Sequence, residues 1–177
     1  MKPANQPESG PTRLTDPILA ELGFEANSTR RLLEAVPEDQ LTWRPHEKAM
    51  SLGQLAMHVA MLPGIVAEVA SVDSTTLPEQ DLPEAASRDA LLRALDESLT
   101  VARRYLTDMD DNRALASWNL VRQDGTEVMS LARIGVLRSF MLTHWYHHRG
   151  QLSSYLRQVG AEVPSVYGPT SDENPFA

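Results

Sequence analysis

The stretch Thr143-His144-Trp145-Tyr146-His147-His148-Arg149-Gly150-Gln151 decides how the rest of this 177-residue chain is read. It carries three of the five histidines. His144 and His148 are four residues apart, which on a helix places them about 40° apart around the axis and one turn up. Apolar residues keep the same rhythm on both sides: Ile134, Leu137 and Met141 before the pair, Leu152 and Tyr155 after it. The spacing predicts one long helix from about Ser130 to Val159, ended by Gly160 as a C′ glycine. Both imidazoles then lie on its inward stripe.

Three further helices follow from the same rhythm. Asp16-Pro17 opens the first, with Asp as the N-cap and Pro in the first turn. Its stripe is Leu19, Leu22, Ala26, Thr29, Leu33 and Val36, and Pro37 ends it. Ser51 and Gln54 form a capping box that starts the second. Its stripe is Leu55, His58, Leu62, Ile65 and Val69, and Pro63-Gly64 inside it predicts a kink. Ser87 caps the third, with Leu92, Leu95, Leu99, Ala102 and Leu106 inward. From about 110 to 129 the rhythm breaks, and Asp124-Gly125 between Val121 and Val128 is a candidate hairpin turn. Four amphipathic helices of similar length predict an all-α fold, a four-helix bundle over residues 15–160 with a long connection before the last helix. Residues 1–14 are Pro-, Ser- and Gly-rich and are expected to be a flexible N-terminal segment. Residues 71–86 are a polar connection, and 161–177 an irregular tail.

Composition excludes several functions. The net charge is −8, so a basic stripe that would neutralise nucleic-acid phosphates is not expected. There is no cysteine, which removes disulfides, iron–sulfur clusters and any thiol nucleophile of the protein's own. The N-terminus has no apolar core of a signal peptide, and the apolar run Leu52–Val69 is interrupted by His58, Pro63 and Glu68. The expectation is a cytoplasmic protein with a small-molecule substrate and neither nucleic acid nor membrane as a partner. No Gly-rich phosphate loop, serine elbow or paired catalytic carboxylates are present.

The histidines carry the remaining signal. A lone histidine on an apolar face is usually a core residue with one satisfied hydrogen bond. Two inward imidazoles one turn apart are harder to satisfy, and His58 on the second helix adds a third. Neutral imidazole suits zinc, nickel, copper or iron, and three protein ligands leave a coordination position open, as catalytic sites do. The candidate ligands are therefore His58, His144 and His148. His147, about 100° from His148, is read as peripheral, and His46 as structural. Trp43, Trp145 and Tyr146 read as packing residues. Tyr155 can line the pocket or sit in the core. Arg149 and Gln151 flank the metal face, where they can anchor substrate, orient a ligand, or simply be solvated.

Two segments resemble the signatures of the DinB-like family, the DinB/YfiT-like metalloenzymes. Trp43-Arg44-Pro45-His46-Glu47-Lys48-Ala49-Met50-Ser51-Leu52-Gly53-Gln54-Leu55-Ala56-Met57-His58 resembles the first, and His144-Trp145-Tyr146-His147-His148-Arg149-Gly150-Gln151-Leu152 the second. The closing Val163-Pro164-Ser165-Val166-Tyr167-Gly168-Pro169 is similar to the family's tail. The resemblance implies a bundle in down-up-up-down order with a long crossover. It also implies a divalent metal, nickel or zinc foremost, on three histidines that match His58, His144 and His148. It further implies a homodimer, and relatives that include thiol-dependent S-transferases and isomerases using a low-molecular-weight thiol. The expected function is a metal-dependent enzyme that activates water or such a thiol, as a hydrolase or a thiol-dependent transferase. The alternatives are a non-catalytic, stress-associated metal-binding bundle and a metal-free bundle whose histidines are hydrogen-bonded in its core.

Overall fold

Each predicted helix forms where its apolar rhythm runs. The computed structural model describes residues 12–76 and 82–177. Residues 1–11 of the expected N-terminal segment and 77–81 of the polar connection lie outside the described residues. The elements are α1 (Asp16–Glu34), α2 (Leu52–Ser71), β1 (Ser74–Thr76), α3 (Arg88–Asp108), a short α4 (Asp111–Leu115), β2 (Ser117–Val121) and β3 (Glu127–Ala132). The last helix is continuous in three parts: α5 (Arg133–Val136), a π-helical segment (Leu137–Thr143) and α6 (His144–Gln158).

The caps explain most of the ends. Gln54 N–H donates to Ser51 Oγ at 3.1 Å and Ser51 N–H to Gln54 Oε1 at 2.9 Å, the reciprocal box that starts α2. Ala90 N–H donates to Ser87 Oγ at the head of α3. Gly160 has φ +77°, and Ala161 N–H returns to the Leu156 carbonyl, which closes α6. The first helix differs from expectation. Its N-cap is Thr15 and Asp16 is already helical, because the Asp16 carboxylate reaches back to the Arg13 backbone N–H at 2.8 Å and to its guanidinium.

Cross-chain bonds set the helix directions. Arg13 donates to the Thr107 carbonyl and Arg88 to that of Glu34, so α1 and α3 run antiparallel. Ser51 meets Glu84 while Gly64 meets Ser98, so α2 and α3 run parallel. Trp145 meets Val59 and Arg133 meets Ala70, so the last helix runs antiparallel to α2. Tyr146 meets Glu21 and Arg149 meets Glu25, so it runs parallel to α1.

Close contact between α2 and α3 rests on a small residue. A Cβ on Gly64 would sit 2.9 Å from Ser98 Cα, so only glycine admits this approach. Ser98 Oγ accepts from Gly64 N–H at 2.8 Å and donates to the Met61 carbonyl at 3.0 Å. By length and composition α2 is apolar enough to cross a membrane, and most of it is buried against its neighbours. Its core face is Leu55, Ala56, Val59, Ala60, Pro63 and Ala67. Of the expected stripe, Leu55 and Leu62 are buried in the core, His58 and Val69 are half-buried, and Ile65 is 43% exposed.

The protein is mostly helical, but the all-α expectation is corrected by a three-stranded sheet in the order β1-β2-β3. β2 and β3 form the antiparallel hairpin across Asp124-Gly125, where Gly125 takes φ +83°. β1 pairs parallel with β2, from Ser74 opposite Asn119 to Thr76 opposite Val121. Ser130–Ala132 belong to β3, so the last helix starts at Arg133 and not at Ser130. The fully buried Arg133 ties these parts together. Its guanidinium donates to the carbonyls of Ala70 at 3.0 Å, Ser117 at 2.8 Å and Val72 at 3.1 Å, and pairs with Asp73.

Candidate metal centre

A proline in α2 sets the register of the histidines. Pro63 has no N–H, so the Val59 carbonyl lacks its helical partner. The Trp145 indole N–H takes that carbonyl at 2.8 Å. Trp145 is fully buried and directly follows His144, while Val59 directly follows His58. One hydrogen bond therefore holds α6 against α2 at the level of both histidines.

His58, His144 and His148 converge there. One ring nitrogen from each lies within 4.8 Å of the others, and all three residues are half-buried. The ring centroids of His58 stand 5.2 Å from those of His144 and 4.5 Å from those of His148. His144 Nε2 and His148 Nε2 are 2.7 Å apart. The outer nitrogen decides the His148 tautomer. His148 Nδ1 is 2.9 Å from Gln151 Oε1, which only accepts, so Nδ1 carries the proton and the Nε2 lone pair turns toward His144. That lone pair can accept a proton carried on His144 Nε2 or face a cation, and a donor set of neutral imidazoles fits a divalent transition metal.

Burial keeps the rings neutral. His58 is pushed down to about 4, first by burial and then by His148 and His144. His144 is lowered by burial and by His147, against the upward pull of the Phe140 carbonyl. His148 is lowered by burial despite its bond to Gln151, with His144 and His147 adding to the effect. Imidazoles of the unfolded chain titrate near about 6.5. Between that value and the depressed native ones the unfolded chain binds more protons, so stability falls as the pH drops. The urea midpoint of metal-stripped protein should therefore decline from about pH 6.5 and keep declining to about pH 4, the native value of His58. In His58→Gln the decline should be shallower; equal declines in the two proteins would refute this origin.

The other residues singled out by sequence separate clearly. Gln151 sits against His148 and holds its outer nitrogen, as just described. Its Nε2 reaches the Tyr155 hydroxyl at 3.4 Å, and the buried Tyr155 ring stands edge-on to Trp43 at 5.4 Å. The Trp43 connector and α6 therefore meet behind the cluster. Arg149 is not brought to the cluster: it is 1% exposed and turns into α1, where it pairs with Glu25. His147 is exposed, and exposed His46 accepts from the Lys48 backbone N–H.

A cavity of about 230 Å³ opens beside His58 and His144. Leu62, Val66 and Val69 of α2 form one wall, Phe140 of the π-helical segment another, and Trp118 and Leu120 of β2 a third. The sheet walls were missed in the sequence reading. Their signal is the alternation Trp118-Asn119-Leu120, both outer residues buried, in a strand of five residues.

The chain is similar to proteins that share this architecture. The DinB family model matches residues 12–174. The chain is 28% identical over 160 residues to the uncharacterized protein YrdA of Bacillus subtilis, covering 89% of this chain and 90% of YrdA. It is also similar to the solved structure of a DinB-like protein, YjoA, from Bacillus subtilis, with a TM-score of 0.65 at 18% identity over 85% of this chain and 98% of that one. A DinB-like protein from Bacillus cereus gives a TM-score of 0.66 at 20% identity, covering 84% of this chain and 95% of that one. The structural likenesses carry the fold.

Proposed function

The chain belongs to the DinB family, and from that premise we propose that it is a metal-dependent enzyme acting on a small molecule. His58, His144 and His148 would hold one divalent ion, nickel or zinc, in a bundle of down-up-up-down order with a long crossover. The helix directions set out above agree with that order. The observation that carries the reading is the convergence of three half-buried imidazole nitrogens within 4.8 Å, with a cavity opening beside two of them. When bound, the ion supplies Lewis acidity, lowering the pKa of a coordinated water or thiol toward neutrality.

The chain's own groups do the rest. Gln151 holds the His148 tautomer that leaves Nε2 free as a ligand. The apolar walls exclude water, which strengthens electrostatic effects at the histidine end. The sequence has no cysteine, so a thiol nucleophile arrives as a cosubstrate, whereas hydrolysis needs water alone. A cavity of this size also weighs against the non-catalytic metal-binding alternative, which needs no pocket. In the same reading the protein is a cytoplasmic homodimer.

The test is a screen of protein loaded with nickel or zinc against activated esters in water, and against alkyl electrophiles with low-molecular-weight thiols. Turnover that disappears in His58→Ala supports the proposal. Turnover that is equal in His58→Ala, or absent from every metal-loaded sample under all conditions, counts against it.

A further inference from the structure

The cavity beside the histidines has a chemical character of its own. Among the described residues lining it, the only ionisable side chains are His58 and His144, and both stand at one end. From there the space follows α2 from His58 to Val69, about 16 Å by helical rise. Trp118 presents only its hydrocarbon ring, because its indole N–H already donates to the Val69 carbonyl at 3.0 Å. The one exposed lining residue, Ile65, stands at the opening. An apolar cavity of roughly 150 Å³ admits benzene, so about 230 Å³ holds a ring with a short substituent or a chain of several carbons. The chain's net charge of −8 further disfavours an anionic guest.

We infer that this cavity receives the uncharged, hydrophobic portion of the substrate, an aromatic ring or short alkyl chain, with the reacting group at the histidine end. The assignment of the reacting end rests on the metal-dependent reading above; the assignment of the apolar end rests on the cavity alone. It also explains the second-helix stripe. Leu62, Ile65, Val66 and Val69 form an apolar surface that faces a guest in place of a neighbouring helix.

The probes are simple amphiphiles. Butanol, pentanol and hexanol are titrated into zinc-loaded and metal-stripped protein and followed by tryptophan fluorescence, to which Trp118 in the wall responds. Burial of each methylene tightens binding about fourfold, so butanol to hexanol should gain tenfold or more. On metal-stripped protein, where no ion can ligate the carboxylate, hexanoate and hexylammonium should bind at least tenfold more weakly than hexanol. Val66→Trp fills the space and should lose the hexanol response while keeping its zinc content and melting temperature. Affinity independent of chain length, or hexanoate binding metal-stripped protein as well as hexanol does, would overturn the inference, and neither comparison needs a variant. Zinc content, read on the same samples, separates the two ideas. Chain-length-dependent binding by a protein that takes up no zinc upholds the cavity and removes the metal chemistry. Zinc uptake without such binding removes the cavity assignment alone.

Discussion

His148→Ala is expected to bind nickel or zinc more than about 100-fold more weakly than the wild type, since loss of a partner that only orients a ligand already costs 10–100-fold. The residue is central because it meets both other histidines and Gln151. Its Nε2 faces His144 Nε2 at 2.7 Å, its ring stands 4.5 Å from His58, and its Nδ1 donates to Gln151. Gln151→Ala should fall between the two proteins, since it removes the tautomer lock and leaves all three ligands. Elemental analysis after dialysis, followed by competition with a chelator, ranks the three. Stoichiometric metal in His148→Ala would dismantle the proposed centre. A second readout is thermal. Added metal should raise the melting temperature of the wild type and leave that of His148→Ala unchanged, because only the wild type gains binding free energy.

The three histidines were legible in the sequence because a helix converts spacing into direction. His144 and His148 share a face on any regular helix, and the apolar residues around them said which face. The π-helical segment Leu137–Thr143 widens the helix just before His144, yet Leu137 and Met141 remain fully buried, so the stripe survived it. The second helix shows the limit of the same logic. A 3/4 rhythm marks a face that avoids water, and a cavity wall avoids it as a core does; Ile65 and Val69 were therefore placed on the same inward stripe as the buried Leu55 and Leu62. The hairpin turn at Asp124-Gly125 was legible, but the rest of the sheet was not, because β1 has three residues and β2 five, too few for alternation to stand out beside long helices. The capping role of Asp16 was misread because Arg13 competes for its carboxylate. Arg149 was the hardest residue to place. Its partner is 124 positions away, and no local pattern distinguishes an arginine that lies over a pocket from one that enters the interior.

That buried arginine leads to the largest expected effect on stability. Arg149 and Glu25 are 1% and 5% exposed and form an ion pair inside the protein. Arg149 also donates to the Glu25 carbonyl at 3.1 Å, to Thr29 Oγ1 at 3.2 Å and to the Tyr167 hydroxyl, and Tyr167 donates to Glu25 Oε2 at 2.9 Å. Its guanidinium lies over the rings of Trp145 and Tyr146 at 5.2 and 5.0 Å. A residue adjacent to His148 thus locks the rotation of α6 against α1 and draws in the C-terminal tail through Tyr167. Arg149→Met leaves the Glu25 carboxylate buried without its cation, which costs about 3–5 kcal/mol. At this chain length that lowers the melting temperature on the order of 10 °C. Adding Glu25→Leu removes the stranded charge, so the double variant should recover most of the loss, because replacing a whole buried ion pair with apolar groups is often close to neutral. Melting curves of the wild type, both single variants and the double variant form the cycle that measures this. Additive losses would mean that the two side chains act independently and that the pair does not set the rotation of α6. Recovery of stability together with weakened metal binding in the double variant would separate the two roles of the pair. The apolar replacements would hold the helices together, and the ion pair would be what aims His144 and His148 at His58.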